Sequence, residues 1–132
     1  MFIAVDGDLL KFSDFSTNVA VGYTAVWEGR FSVGDGTLVL LTFNNVSTVN
    51  QHNWVLVKNG AKDAVAARGT AAGAANDWLQ PGDSDVIANT RLVNPGGEAE
   101  FRFSAPPPGN YQFVCTFPGH GATMFGDFEV TG

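Results

Sequence analysis

The chain alternates between short runs of apolar, β-branched and aromatic residues and short clusters of turn formers. AVGYTAVW (20–27) reads as a strand. TLVLLTFNN (37–45) is a nearly continuous apolar run, as expected of a strand buried on both faces or lying in a sandwich core. NWVLVKNG (53–60) predicts a short strand closed by Asn59-Gly60, a strong turn signal. EAEFRFSA (98–105) has period two, which turns Ala99, Phe101 and Phe103 inward and Glu98, Glu100, Arg102 and Ser104 outward. GNYQFVCTF (109–117) sets Tyr111, Phe113, Cys115 and Phe117 on one parity, and FGDFEVTG (125–132) closes the chain as a last strand. QPGDSD (80–85), NPGG (94–97) and APPPGN (105–110) read as turns, because Pro fixes one backbone angle and Gly permits positive φ.

One segment breaks this rhythm. Residues 61–77, AKDAVAARGTAAGAAND, are rich in Ala, which favours helix, although Gly69 and Gly73 each weaken it by about 1 kcal/mol relative to Ala. Many short strands with regular turn signals predict an all-β fold, a Greek-key β-sandwich, with a short helical insertion near residues 61–78. No internal repeat or linker divides the chain, so residues 1–132 are expected to form a single domain, with 1–19 an N-terminal extension or a first strand.

Composition narrows the functions available. The 132 residues carry 13 acidic and 7 basic side chains, for a net charge of −6, and the bases are scattered. That pattern argues against a phosphate-tracking surface and hence against a nucleic-acid partner. The chain has one cysteine, so no intramolecular disulfide can form. The apolar start MFIAV runs into Asp6 after five residues, too short for a signal-peptide core or a membrane span.

The scarce reactive side chains are not scattered. CTFPGHGATM (115–124) holds the one cysteine, one of two histidines and one of two methionines, spaced Cys-x4-His-x3-Met. The other histidine, His52, opens a predicted strand far upstream, and a sandwich readily brings such a strand start beside the loop between its last two strands. Cys115 by itself reads as a small buried hydrophobe, His120 as a loop histidine, His52 as a strand histidine and Met124 as core filler. Together they form a different pattern. A thiolate and two imidazoles in a trigonal arrangement, with a weak thioether on the axis, suit copper in both oxidation states. Pro118 and Gly119 stiffen and turn the loop, and Gly121 and Ala122 are small enough to let a partner approach the edge of His120.

CTFPGHGATM, together with QHNWVLV (51–57), resembles the blue copper proteins, the cupredoxins, and among them the azurins and the auracyanins of filamentous anoxygenic phototrophic bacteria. The likeness covers about residues 20–132. It implies a cupredoxin-like sandwich holding one type 1 copper ion, with His52, Cys115 and His120 as equatorial ligands and Met124 as the axial one. It also implies that Asn53 ties the two ligand loops together and that the Phe117 N–H donates to the thiolate. The residue before the first ligand histidine supplies a weak axial carbonyl in azurin, where it is glycine; here that position is Gln51. Val49, Pro118, Gly119, Gly121 and Ala122 would frame an electron-transfer patch around His120. The resemblance further implies a monomeric electron carrier between redox proteins, such as a cytochrome c and a membrane quinol-oxidising complex, in a bacterial photosynthetic or respiratory chain. It would work in the periplasm, with any membrane tether in an N-terminal segment outside these 132 residues.

The same residues bear on other functions. A copper oxidase or reductase needs more histidines than the two available, and a dinuclear copper site needs a second cysteine. A thiol hydrolase built on Cys115, a histidine and Asn53 is formally possible but leaves the spacing of Met124 unexplained. Copper storage or delivery could use the same four ligands. Trp27, Trp54 and Trp78 read as packing residues rather than electron relays, Tyr111 as a corner tyrosine and the APPPG run as a rigid loop.

Overall fold

The structure, a computed structural model, describes residues 2–5, 10–14, 19–23, 30–45 and 47–132, and the side chains of residues 32–45 and 47–132. Its strands in chain order are β1 (Phe2–Val5), β2 (Leu10–Asp14), β3 (Val19–Tyr23), β4 (Arg30–Gly34), β5 (Leu38–Asn45) and β6 (Val55–Lys58). After the helix α1 (Lys62–Ala72) come β7 (Val86–Asn89), β8 (Glu98–Ser104), β9 (Gly109–Val114) and β10 (Phe125–Thr131). Among the described residues they form two five-stranded sheets, ordered β3-β2-β1-β5-β8 and β4-β10-β9-β6-β7. Most pairings are antiparallel, while β1 with β5 and β4 with β10 run parallel.

Side-chain alternation explains how the sheets face each other. Along β5, Val39, Leu41, Phe43 and Asn45 are buried while their neighbours are not. Its partner β8 sets Phe103, Phe101 and Ala99 opposite Val39, Leu41 and Phe43. The second sheet answers with Leu56, Phe113, Phe128 and Val130, and these residues close one core around Trp54. Trp54 is fully buried and touches the rings of Phe101, Phe103, Phe113 and Phe128 at centroid separations of 5.9, 6.0, 5.6 and 6.4 Å. The 37–45 run is therefore a half-buried strand. Among the described side chains, the strand buried on both faces is β6, whose Val55, Leu56 and Val57 are all inaccessible.

The reason is α1. It covers the outer face of the second sheet, where Val65 packs with Val55, Val57 and Val114 in a second small cluster. The Ala-rich segment thus forms one helix followed by a single 3-10 turn, Ala74–Asn76. Arg68 on α1 grips the loop before β7. Its guanidinium donates to both carboxylate oxygens of Asp83, at 2.9 and 3.0 Å, and to Asp85 at 2.8 Å. Those hydrogen bonds hold the Asp83 carboxyl below its ordinary pKa. Tyr111 makes a corner contact, its hydroxyl donating to the Pro107 carbonyl at 2.5 Å.

Sequence reading allowed a first strand within 1–19 but did not separate β1 from β2, and it did not find β4 and β7. The expectation of an extension or first strand over 1–19 becomes two strands, at Phe2–Val5 and Leu10–Asp14. The strand expected over 20–27 is β3, ending at Tyr23, and 24–27 lie outside the described residues.

Candidate metal centre

The register of the second sheet brings the distant parts of the site together. β6 and β9 are antiparallel neighbours with Val55 opposite Val114. The residues just before β6, including His52, therefore lie at the same end of the sandwich as Cys115, which follows β9. β10 pairs Phe125 with Val114, so the loop 115–124 starts and finishes at that end.

Each donor is then fixed by backbone bonds. His52 forms an isolated bridge with Val93, its N–H donating to the Val93 carbonyl at 3.1 Å and its carbonyl accepting at 2.8 Å. The Cys115 N–H donates to the Met124 carbonyl at 2.9 Å, and the Met124 N–H donates to the His120 carbonyl at 2.8 Å. The His120 N–H donates to the Phe117 carbonyl at 2.9 Å. Gly119 makes this loop possible, since its φ of 82° is left-handed and favours a residue without Cβ. Met124 is half-buried and packs against the main core.

Both imidazoles present Nδ1 to the sulfur. Cys115 Sγ lies 3.8 Å from His52 Nδ1 and 3.7 Å from His120 Nδ1, and the three donor atoms all lie within 4.8 Å of one another. These separations test whether a metal fits. A thiolate at about 2.3 Å and an imidazole at about 2.0–2.1 Å from one ion stand about 3.8 Å apart at a trigonal angle and about 3.6 Å apart at a tetrahedral one. The two sulfur–nitrogen separations fall in the range that one metal ion bridges. Cys115 and His52 are fully buried, whereas His120 is half-exposed, its ring 4.9 Å from that of His52. A buried thiolate is costly unless a positive charge sits beside it. A soft cation between these three atoms would satisfy that demand.

Asn53 joins the two ligand segments. Its side-chain carbonyl accepts from the Thr116 N–H at 2.8 Å, and its amide donates to the Thr116 hydroxyl at 2.8 Å. Gln51 sends its side-chain amide to Asn94 at 2.7 Å. Asn45 and Thr90 carry further support that sequence reading missed. Buried Asn45 donates to the carbonyls of Asn50 at 2.8 Å and Val93 at 3.0 Å, which ties the loop before His52 to the segment that bridges it. The Thr90 hydroxyl accepts from the Trp54 N–H at 2.9 Å. A polar residue ending an apolar strand was the available signal for Asn45, but its partners lie as far as 48 positions away.

The residues expected to frame His120 differ in exposure. Val49 is 78% exposed, Gly119 and Ala122 are exposed, and Pro118 is half-exposed. Gly121 does not belong to that surface. It is buried under α1, where an added Cβ would sit 3.3 Å from the Cβ of Ala66 and 3.4 Å from the Cys115 carbonyl oxygen. Its small size serves helix packing rather than partner access.

Comparison with known proteins agrees with the geometry. The chain is 41% identical over 103 residues to auracyanin-A of Chloroflexus aurantiacus, covering 76% of this chain and 64% of that protein. A solved structure of auracyanin A, described as a "blue" copper protein, superposes with a TM-score of 0.73 at 39% identity, over 77% of this chain and 85% of that one. An azurin from Achromobacter denitrificans is 43% identical over 84 residues, covering 61% of this chain and 56% of the relative. This chain thus spans between half and two thirds of the length of these two curated relatives. A crystal structure of dithionite-reduced auracyanin from the photosynthetic bacterium Roseiflexus castenholzii superposes with a TM-score of 0.79 at 34% identity, over 99% of this chain and 95% of that one. The family model of copper binding proteins, plastocyanin/azurin family, matches residues 1–131. With two five-stranded sheets among the described residues and three donor atoms gathered closely enough to hold one metal ion, the chain belongs to the plastocyanin/azurin family of copper-binding proteins.

Proposed function

We propose that this chain is a single-domain, one-electron carrier, with His52, Cys115 and His120 as equatorial copper ligands and Met124 as the axial ligand. The observation that supports this most is the pair of Nδ1–Sγ separations, 3.8 and 3.7 Å, in a pocket closed on the His52 side and open at His120. Copper bound there would supply a Cu(I)/Cu(II) couple whose two states both accept this mixed donor set. The chain's own task is to hold the donors still. The His52–Val93 bridge, the Asn53–Thr116 pair and the loop bonds of Met124 and His120 fix them through the fold. Donors that move little between oxidation states keep the reorganisation on electron transfer small.

The Phe117 N–H is assigned as a donor to the sulfur, from its place two residues beyond Cys115. The Gln51 carbonyl is assigned only a weak axial contact. His120 is the electron door, framed by Val49, Pro118, Gly119 and Ala122. The partners are redox proteins: a haem protein of the cytochrome c class on one side and a membrane quinol-oxidising complex on the other. The net charge of −6 favours a basic docking face. The site of action is the periplasm. Among the described residues no helix is long and apolar enough to cross a membrane. No catalytic turnover is assigned, since both histidines serve the one site.

Voltammetry of the copper-loaded protein tests this reading. A reversible one-electron wave, with colour that bleaches on reduction and returns on oxidation, is expected. Copper held tightly without a reversible couple would replace the carrier with storage or delivery.

A further inference from the structure

Asp77 and Trp78 are consecutive non-glycine residues with left-handed backbones, φ 53° and 58°. Such a pair is uncommon and persists only where its surroundings impose it. Three features impose it here. The Asp77 N–H bonds to the Ala74 carbonyl at 3.0 Å, and the Trp78 N–H bonds to the Gly73 carbonyl at 3.2 Å. α1 then leaves room for the turn, because any side chain at Gly69 would overlap the Trp78 carbonyl.

The turn delivers an indole to the site. Half-buried Trp78 meets Phe117 edge-on, with centroids 5.9 Å apart and planes at 70°. Phe117 in turn lies 4.6 Å from the His120 ring at 36°. His52, the other imidazole, is buried and bridged to Val93, whereas His120 sits on a short 3-10 turn at the surface. The more exposed imidazole thus has an aromatic stack behind it.

We propose that Trp78 is a positioning residue for His120, acting through Phe117. The strained turn after α1 presses the indole against Phe117, and Phe117 limits the rotation of the imidazole, which keeps Nδ1 aimed at Cys115 Sγ. This rests on the reading of His120 as a copper ligand, and it adds a support from outside both ligand loops.

The test uses the whole chain with Trp78→Ala and Trp78→Phe, and Val65→Ala as a destabilised control that does not touch the stack. In copper-free protein, NMR follows the His120 ring protons and their cross-relaxation with Phe117. Trp78→Ala is expected to weaken the His120–Phe117 contacts and shift the His120 ring signals while those of His52 stay in place. In copper-loaded protein, release to a Cu(I) chelator is expected to quicken about tenfold in Trp78→Ala and to stay within about twofold in Trp78→Phe and Val65→Ala. Unchanged His120–Phe117 contacts with unchanged release in Trp78→Ala would overturn the proposal, as would equal acceleration in Val65→Ala. If the wild type failed to bind copper, the ligand reading would fall, and the copper-free NMR comparison would still decide whether Trp78 holds the imidazole.

Discussion

Gly69→Ala sets two effects of opposite sign against each other. In an exposed helix the change stabilises by about 1 kcal/mol, because Ala loses less backbone entropy than Gly. Gly69 sits within α1 but is buried, and an ideal Cβ there overlaps the Trp78 carbonyl oxygen and lies 2.9 Å from the carbonyl carbon. Both neighbours are backbone atoms of a turn already held in left-handed conformations, so no rotamer change relieves the overlap. Overpacking costs about 1–3 kcal/mol, and a backbone clash belongs at the upper end of that range. The net effect is a loss of about 2 kcal/mol. For 132 residues each kcal/mol moves the melting temperature by about 3–4 °C, so a fall of about 7 °C is expected. Chemical denaturation of copper-free protein measures the free energy directly, and a calorimetric scan gives the shift. The variant should also release copper faster, since the displaced Trp78 no longer backs Phe117. A Gly69→Ala protein as stable as the wild type, or more so, would refute the reasoning, because it would mean that α1 and the turn are not in contact at this point.

Other outcomes follow from the same geometry. Asn53→Ala removes two 2.8 Å bonds to Thr116 and leaves a buried N–H without its acceptor; a loss of about 1–3 kcal/mol in urea unfolding is expected, with weaker copper binding in a competition titration. Met124→Leu should keep the intense colour and raise the reduction potential, read by voltammetry, since the weak thioether donor is lost while the thiolate and imidazoles remain. Among the described residues nothing accepts from the Trp54 indole N–H, which is buried in an aromatic core; the emission removed by Trp54→Phe should be strongly blue-shifted. The Asp83 carboxyl is held below 3.8 mainly by its hydrogen bond from Arg68. Its contribution to stability is therefore fully present above that pH and fades as pH falls through the lowered value. Asp83→Asn should lessen the acid dependence of unfolding measured by circular dichroism below about pH 4.

The four ligand candidates were legible because chemistry concentrates them. Three lie within ten residues, and a fourth opens an apolar run ending in a turn dipeptide. The alternation in 98–105 was equally readable, because β8 has one face on the core. The 37–45 run left two readings open, and the sandwich-core one holds, since a strand with large residues at every position need bury only alternate ones. Doubly buried β6 is just four residues long, and its second covering comes from a helix that period-two patterns do not reveal. Parallel pairings such as β4 with β10 join residues about a hundred positions apart and leave no local trace. Gly121 looked like an open surface position by its size, and only the placement of α1 shows that it is buried. Asn45 was hidden for the same reason, and Trp78 was readable as a packing residue without its partner: each acts through contacts that exist only once the strands and the helix are assembled.

The most direct measurement is a visible absorption titration with Cu(II) of the wild type beside Cys115→Ser. The account predicts an intense band toward the red end of the spectrum that saturates at one copper per chain, and no such band in Cys115→Ser. An uncoloured wild type whose Cys115 still titrates as a free thiol in the presence of Cu(II), or a Cys115→Ser protein that keeps the band, would contradict it.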